Sequence, residues 1–93
     1  MEAIEISRAS GGGDRFAVEV RGTDGVPSEH EVRVSDADWI RFGGRFDSRE
    51  ALVEASFRFL LEREPKDSIL REFPLGVIER YFPEYGEAFT PRR

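Results

Sequence analysis

The chain has 93 residues, of which 39% are hydrophobic and 35% charged, and its formal net charge is −5. That length and balance predict one small folded domain with a single core rather than a disordered polymer. It contains no cysteine, which excludes disulfide frameworks, thiolate metal sites and a catalytic thiol.

Elements follow from hydrophobic period. Glu2 to Ser7 alternates, with Ile4 and Ile6 on one side, and predicts a short half-buried strand. A glycine-rich connection from Arg8 to Asp14 leads to a second alternating run, Arg15 to Arg21, which places Phe16, Val18 and Val20 on one face. Asp24-Gly25 is a turn dipeptide. Glu29 to Ser35 alternates again and groups His30, Val32 and Val34. Three strands with short connections predict an antiparallel meander with one wet face.

The period then changes. Ser35 can cap a helix, and Asp38 three residues later favours the positive end of its dipole. Trp39, Ile40 and Phe42 follow, and Gly43-Gly44 ends one or two turns. The main helix is expected over Ser48–Glu64, capped by Asp47, with Glu50 three residues on and Pro65 as its stop. Glu54–Arg58 and Arg58–Glu62 are i,i+4 pairs on one stripe. Beyond it, Asp67-Ser68 can cap a turn carrying Ile69, Leu70 and Phe73. Pro74 can open a short helix with Leu75, Val77, Ile78, Tyr81 and Phe82, which Pro83 closes. Residues 1–86 read as the domain and 87–93 as a flexible tail.

Charge narrows the partners. Residues 1–46 carry six Arg against nine acids, and residues 47–93 carry eight basic against ten acidic residues. Neither half is a basic patch, which argues against nucleic acid. No apolar run approaches the roughly 18 residues of a membrane helix, so no membrane partner is expected. The N-terminal MEAIEIS has no basic signal-peptide segment, and the expected location is the cytoplasm.

The candidate reactive groups read as structural. Ser10-Gly11-Gly12-Gly13-Asp14 precedes a strand, not a helix whose N-terminus could hold phosphate, and has no Lys-Ser/Thr. His30 is the only histidine; its alternation with Val32 and Val34 places it beside the core. Ser56 lies on the apolar side of the main helix, where it can bond back to a carbonyl four residues earlier. Catalytic, cofactor and metal residues are therefore expected to be none.

The main helix carries the functional clue. Its apolar residues, Leu52, Val53, Ala55, Phe57, Phe59, Leu60 and Leu61, span roughly 240°, against the ~100–140° that packing on a sheet requires. The surplus must be covered by residues 69–85, by a second copy or by another protein. Tyr81, Phe82, Tyr85 and Phe89, with Arg80 beside them, are residue types that anchor interfaces. The candidate partner surface is Phe59, Leu61, Arg80, Tyr81 and Tyr85.

The segments FLLEREPKDSILREF and VIERYFPEY resemble those of a family of small bacterial proteins of unknown function, over about residues 48–86. The resemblance implies a bacterial origin; it carries packing and capping residues, so it implies no site residue.

The expected fold is α+β: a three-stranded antiparallel meander packed on one long helix, with short C-terminal helices. Its core should hold Ile4, Ile6, Phe16, Val18, Val20, Val32, Val34, Leu52, Phe57, Leu60, Ile69, Phe73 and Ile78. The expected function is a non-catalytic protein-interaction or self-association module. The alternatives are a small-ligand binder or weak enzyme with a pocket near Trp39, and a toxin–antitoxin-type or DNA-associated regulator.

Overall fold

The computed structural model describes residues 3–9, 14–22 and 25–89. The glycine run at 10–13, Asp24 of the predicted turn and residues 90–93 lie outside the described residues. Alternation builds three strands: β1 (Ala3–Arg8), β2 (Arg15–Arg21) and β3 (Pro27–Arg33). They pair antiparallel in chain order, with Ile6 opposite Val18 and Phe16 opposite Val32. Phe16, Val18, Val20, His30 and Val32 are buried on one face. The other face is wet. There Glu5, Glu19 and Glu29 stand in one cross-strand row, and the Arg21 guanidinium answers Glu19 at 2.9 Å and Glu5 at 3.9 Å.

The sheet has a fourth strand that the sequence reading did not contain. β4 (Glu72–Pro74) pairs parallel with β3, so the sheet is mixed, in order β1-β2-β3-β4, and not a three-stranded meander. A strand of three residues ending in proline carries too few positions to display a period. Its parallel pairing depends on the long connection through the helices, which no local pattern encodes. Pro74 is tolerated because β4 is an edge strand.

Four helices replace the expected one long helix with short companions. α1 (Asp36–Phe42) is capped as predicted, with the Asp38 N–H donating to Ser35 Oγ at 3.1 Å. α2 (Arg49–Leu61) is capped by Ser48, not Asp47: the Ala51 N–H donates to Ser48 Oγ at 3.1 Å. A single 3-10 turn, Lys66–Ser68, follows Pro65. α3 (Val77–Tyr81) and α4 (Glu84–Phe89) complete the chain. Pro83 follows the end of α3, as expected, and also precedes α4, a position where a missing N–H costs nothing. Residues 87–89, assigned to a tail by the sequence, belong to α4, and Phe89 is buried. Its neighbours Gly86, Glu87 and Ala88 include no large apolar residue, which hides that role in the sequence.

The expected core residues are buried, apart from Ile4 and Ile6, which are half-buried on the edge strand β1. Phe42, Val53, Phe59, Leu75, Tyr85 and Phe89 join them. α2 joins the two halves of that core. Phe57 faces the sheet side, its ring centroid 5.3 Å from His30 and 6.0 Å from Phe73. Phe59 faces the other way and is enclosed by Phe82, Tyr85 and Phe89 at 6.2, 5.3 and 5.8 Å. The surplus apolar arc of α2 is thus covered on one side by α4.

Candidate functional site

Of the five residues expected to form a partner surface, the structure separates two from the rest. Phe59 is buried, with the Arg63 guanidinium stacked 3.6 Å from its ring centroid. Tyr85 is fully buried. Its Oη lies 2.7 Å from Ser56 Oγ, which in turn donates to the Leu52 carbonyl at 2.8 Å. Since Ser56 has one proton and the Leu52 carbonyl can only accept, the Tyr85 hydroxyl is the donor to Ser56. Burial raises the Tyr85 pKa well above that of an ordinary phenol. Leu61 is half-buried, while Arg80 and Tyr81 are exposed.

Tyr81 stands at the edge of an apolar groove of about 400 Å³. Leu60 at the C-terminal end of α2, with Glu64 in the segment just after it, supplies one wall, and α3 supplies the opposite wall through Val77, Ile78 and Tyr81. Ile69, Leu70 and Phe73 line it from the segment between. Leu70 is 45% and Tyr81 65% exposed, which is high for residues of their size. A contiguous apolar cleft with two such residues beside it is the surface most in need of explanation.

The groove's geometry is fixed from the sheet. His30 Nδ1 lies 2.7 Å from the Leu70 carbonyl, and Nε2 lies 2.9 Å from Ser28 Oγ. A carbonyl accepts only, so the neutral ring carries its proton on Nδ1 and accepts the Ser28 hydroxyl at Nε2. The Glu31 N–H donates to the Arg71 carbonyl at 2.6 Å. Two successive carbonyls are therefore held by β3, which leaves Ile69 buried and Leu70 beside the groove. Burial is the main cause that lowers the His30 pKa, opposed by its bond to Leu70. His30 is a structural clamp, as its alternation with the apolar strand residues predicts.

One charged group lines the groove. Glu64 is half-buried, and burial raises its carboxyl pKa above the usual range. Among the described residues it makes no ion pair. Its neighbour Arg63 is directed elsewhere, to Glu84 at 3.1 Å and to the Phe59 carbonyl at 3.0 Å.

Leu60, Glu64, Leu70 and Val77 were absent from the sequence's candidate surface. Leu70 gave a usable signal: it is a large apolar residue between Ile69 and the charged pair Arg71-Glu72, with only one of the two leucine-isoleucine neighbours needed inside. Glu64 gave none, because only the folded chain places it against apolar walls. Trp39, where the ligand-binding alternative placed a pocket, is half-buried and lies against Gly43, where an added Cβ would fall 2.2 Å from its Cε3. Among the described residues no helix is long and apolar enough to cross a membrane. Comparison with protein-family models, with curated proteins and with solved structures returns no match.

Proposed function

We propose that this protein is a non-catalytic interaction module that docks a protein partner in the groove between α2, the Ile69–Leu70 segment and α3. The observation that carries the reading is the exposure of Leu70 and Tyr81 beside an apolar cleft, within a fold that buries its other aromatic side chains wholly or in part. Leu61 and Arg80 remain candidate flanking contacts from the sequence reading. The net charge of −5 disfavours a nucleic-acid partner, and a cytoplasmic location is part of the same proposal.

The test uses a photo-crosslinking amino acid at position 81 in the producing cell, with position 40 as control. Ile40 is 79% exposed but does not line the groove. The reading expects a defined product at 81 only, and a purified partner whose affinity falls at least tenfold on Leu70→Ser and Tyr81→Ser. If both positions give the same products, or the two variants bind unchanged, the groove is not the docking site. Sedimentation at low and high concentration decides whether that partner is a second copy.

A further inference from the structure

Resting on that docking reading, we infer that the groove takes an amphipathic α-helix bearing a lysine or arginine at the edge of its apolar face. Three observations fix this chemistry. The first is Glu64. A half-buried carboxylate that lines an apolar groove and makes no ion pair among the described residues is partly desolvated without a charged partner. A cation arriving with the occupant supplies that partner, and a charge-assisted bond in a partly desolvated site is stronger than one at an open surface.

The second is the molecule's charge. At −5, two copies of this chain repel, whereas a basic segment is attracted before contact. The occupant is therefore a basic partner rather than a second copy.

The third is the backbone around the groove. An occupant entering an apolar cleft must satisfy its own N–H and C=O groups or borrow partners from the protein. The adjacent sheet edge cannot lend them. The Arg71 carbonyl and the Leu75 N–H are turned inward to Glu31 and Arg33. Alternation leaves Glu72 and Pro74 facing outward, and Pro74 has no N–H. A strand-adding peptide would meet a single donor where its ladder needs several. A helix satisfies its backbone internally and presents apolar side chains at i, i+3 and i+4 to the cleft.

The probe is a labelled, end-capped peptide of about fourteen residues, four helical turns, with Leu on one face and Lys on its flanks, read by fluorescence anisotropy. Two companions separate the arms: one with every Lys replaced by Glu, and one with a central proline. The Lys peptide is expected to bind, with affinity reduced about tenfold on Glu64→Gln, the scale of one charged hydrogen bond. Glu87→Gln, an exposed acid that does not line the groove, should leave affinity unchanged; both companions should bind at least tenfold more weakly.

Equal losses for Glu64→Gln and Glu87→Gln, or equal binding of the Glu peptide, overturn the inferred cation. Equal binding of the proline peptide overturns the helix while leaving the groove reading intact. No binding of the Lys peptide at millimolar concentration overturns the whole inference. If the peptides bind but Leu70→Ser and Tyr81→Ser change nothing, the docking reading itself fails.

Discussion

The buried pair Ser56–Tyr85 makes a prediction about sign as well as size. Both side chains are fully buried, and each polar atom is satisfied by the other or by the Leu52 carbonyl. Tyr85→Phe removes a donor. Ser56 keeps its bond to Leu52 and loses only what it accepts, so the cost is one net hydrogen bond, about 1 kcal/mol. Ser56→Ala likewise removes one hydroxyl oxygen, but it strands the phenol O–H in the core. That desolvation costs about 1–3 kcal/mol, less about 0.5 kcal/mol gained from alanine's helix propensity. At the middle of that range, about 1.5 kcal/mol net, Ser56→Ala should destabilise more than Tyr85→Phe. Combining the two removes both polar partners, and the double variant should be no less stable than Ser56→Ala alone, a coupling of at least about 1 kcal/mol. Urea unfolding at pH 7 followed by circular dichroism resolves this, since 1 kcal/mol moves the midpoint of a chain this size by about 1 M. If the double variant loses the sum of the two single losses to within about 0.3 kcal/mol, the pair is not coupled and the assigned donor direction is wrong.

Three further outcomes are expected. The lowered pKa of His30 means that the unfolded chain binds its proton first: stability falls as pH drops below about 6.5 and stops falling once the folded-state value is passed. His30→Asn, whose amide nitrogen can replace Nδ1 as donor to Leu70, should flatten stability measured between pH 5 and 7; an unchanged slope refutes the assignment. Gly43→Ala should cost about 1–3 kcal/mol by overpacking, because its Cβ would fall on the Trp39 ring, and the near-ultraviolet signal of that single tryptophan should change with it. Phe89→Ala should cost about 3 kcal/mol or more, the range for a buried aromatic, since its ring stacks 4.3 Å from Tyr85 and 5.8 Å from Phe46; thermal melting unaffected by the change would return residues 87–89 to a tail.

What could be read in advance divides along the range of the interactions. Period-2 alternation places Phe16, Val18, Val20, His30 and Val32 on one face, and the structure buries all five. Ser35 marks a helix start through a bond within one turn, so it too is legible, whereas α2 ends at Leu61, short of the Glu64 that Pro65 suggested. The cap of α2 was misread by one residue because Asp47 and Ser48 are both good caps, and only the Ser48 dihedrals and hydroxyl decide between them. β4 was illegible because its partner lies about 40 residues away. The candidate surface mixed two populations for a related reason. Phe59, Tyr81 and Tyr85 have similar composition signals, and only the packing of α4 shows that two of them belong to the core.

The same proline accounts for both halves of that division. α2 presents more apolar surface than the sheet can cover, and the chain after β4 must return over the remainder. Had α3 continued past Phe82 it would have covered one side of α2 only. Pro83 breaks it instead, and its fixed φ starts α4 in a new direction. α4 then lays Tyr85 and Phe89 over Phe59, tied by the Arg63–Glu84 bond at its first turn. The price of closing that side is a five-residue α3 too short to roof the groove beside Leu60 and Glu64, at and just beyond the end of α2. The groove is thus the seam between two packing solutions rather than a flaw in one. Its walls include the buried residues Leu60, Ile69, Phe73 and Ile78, while Leu70 and Tyr81 are exposed beside it. Under the proposed docking reading, a partner would gain binding energy there without requiring the fold to rearrange, as a preorganised site does.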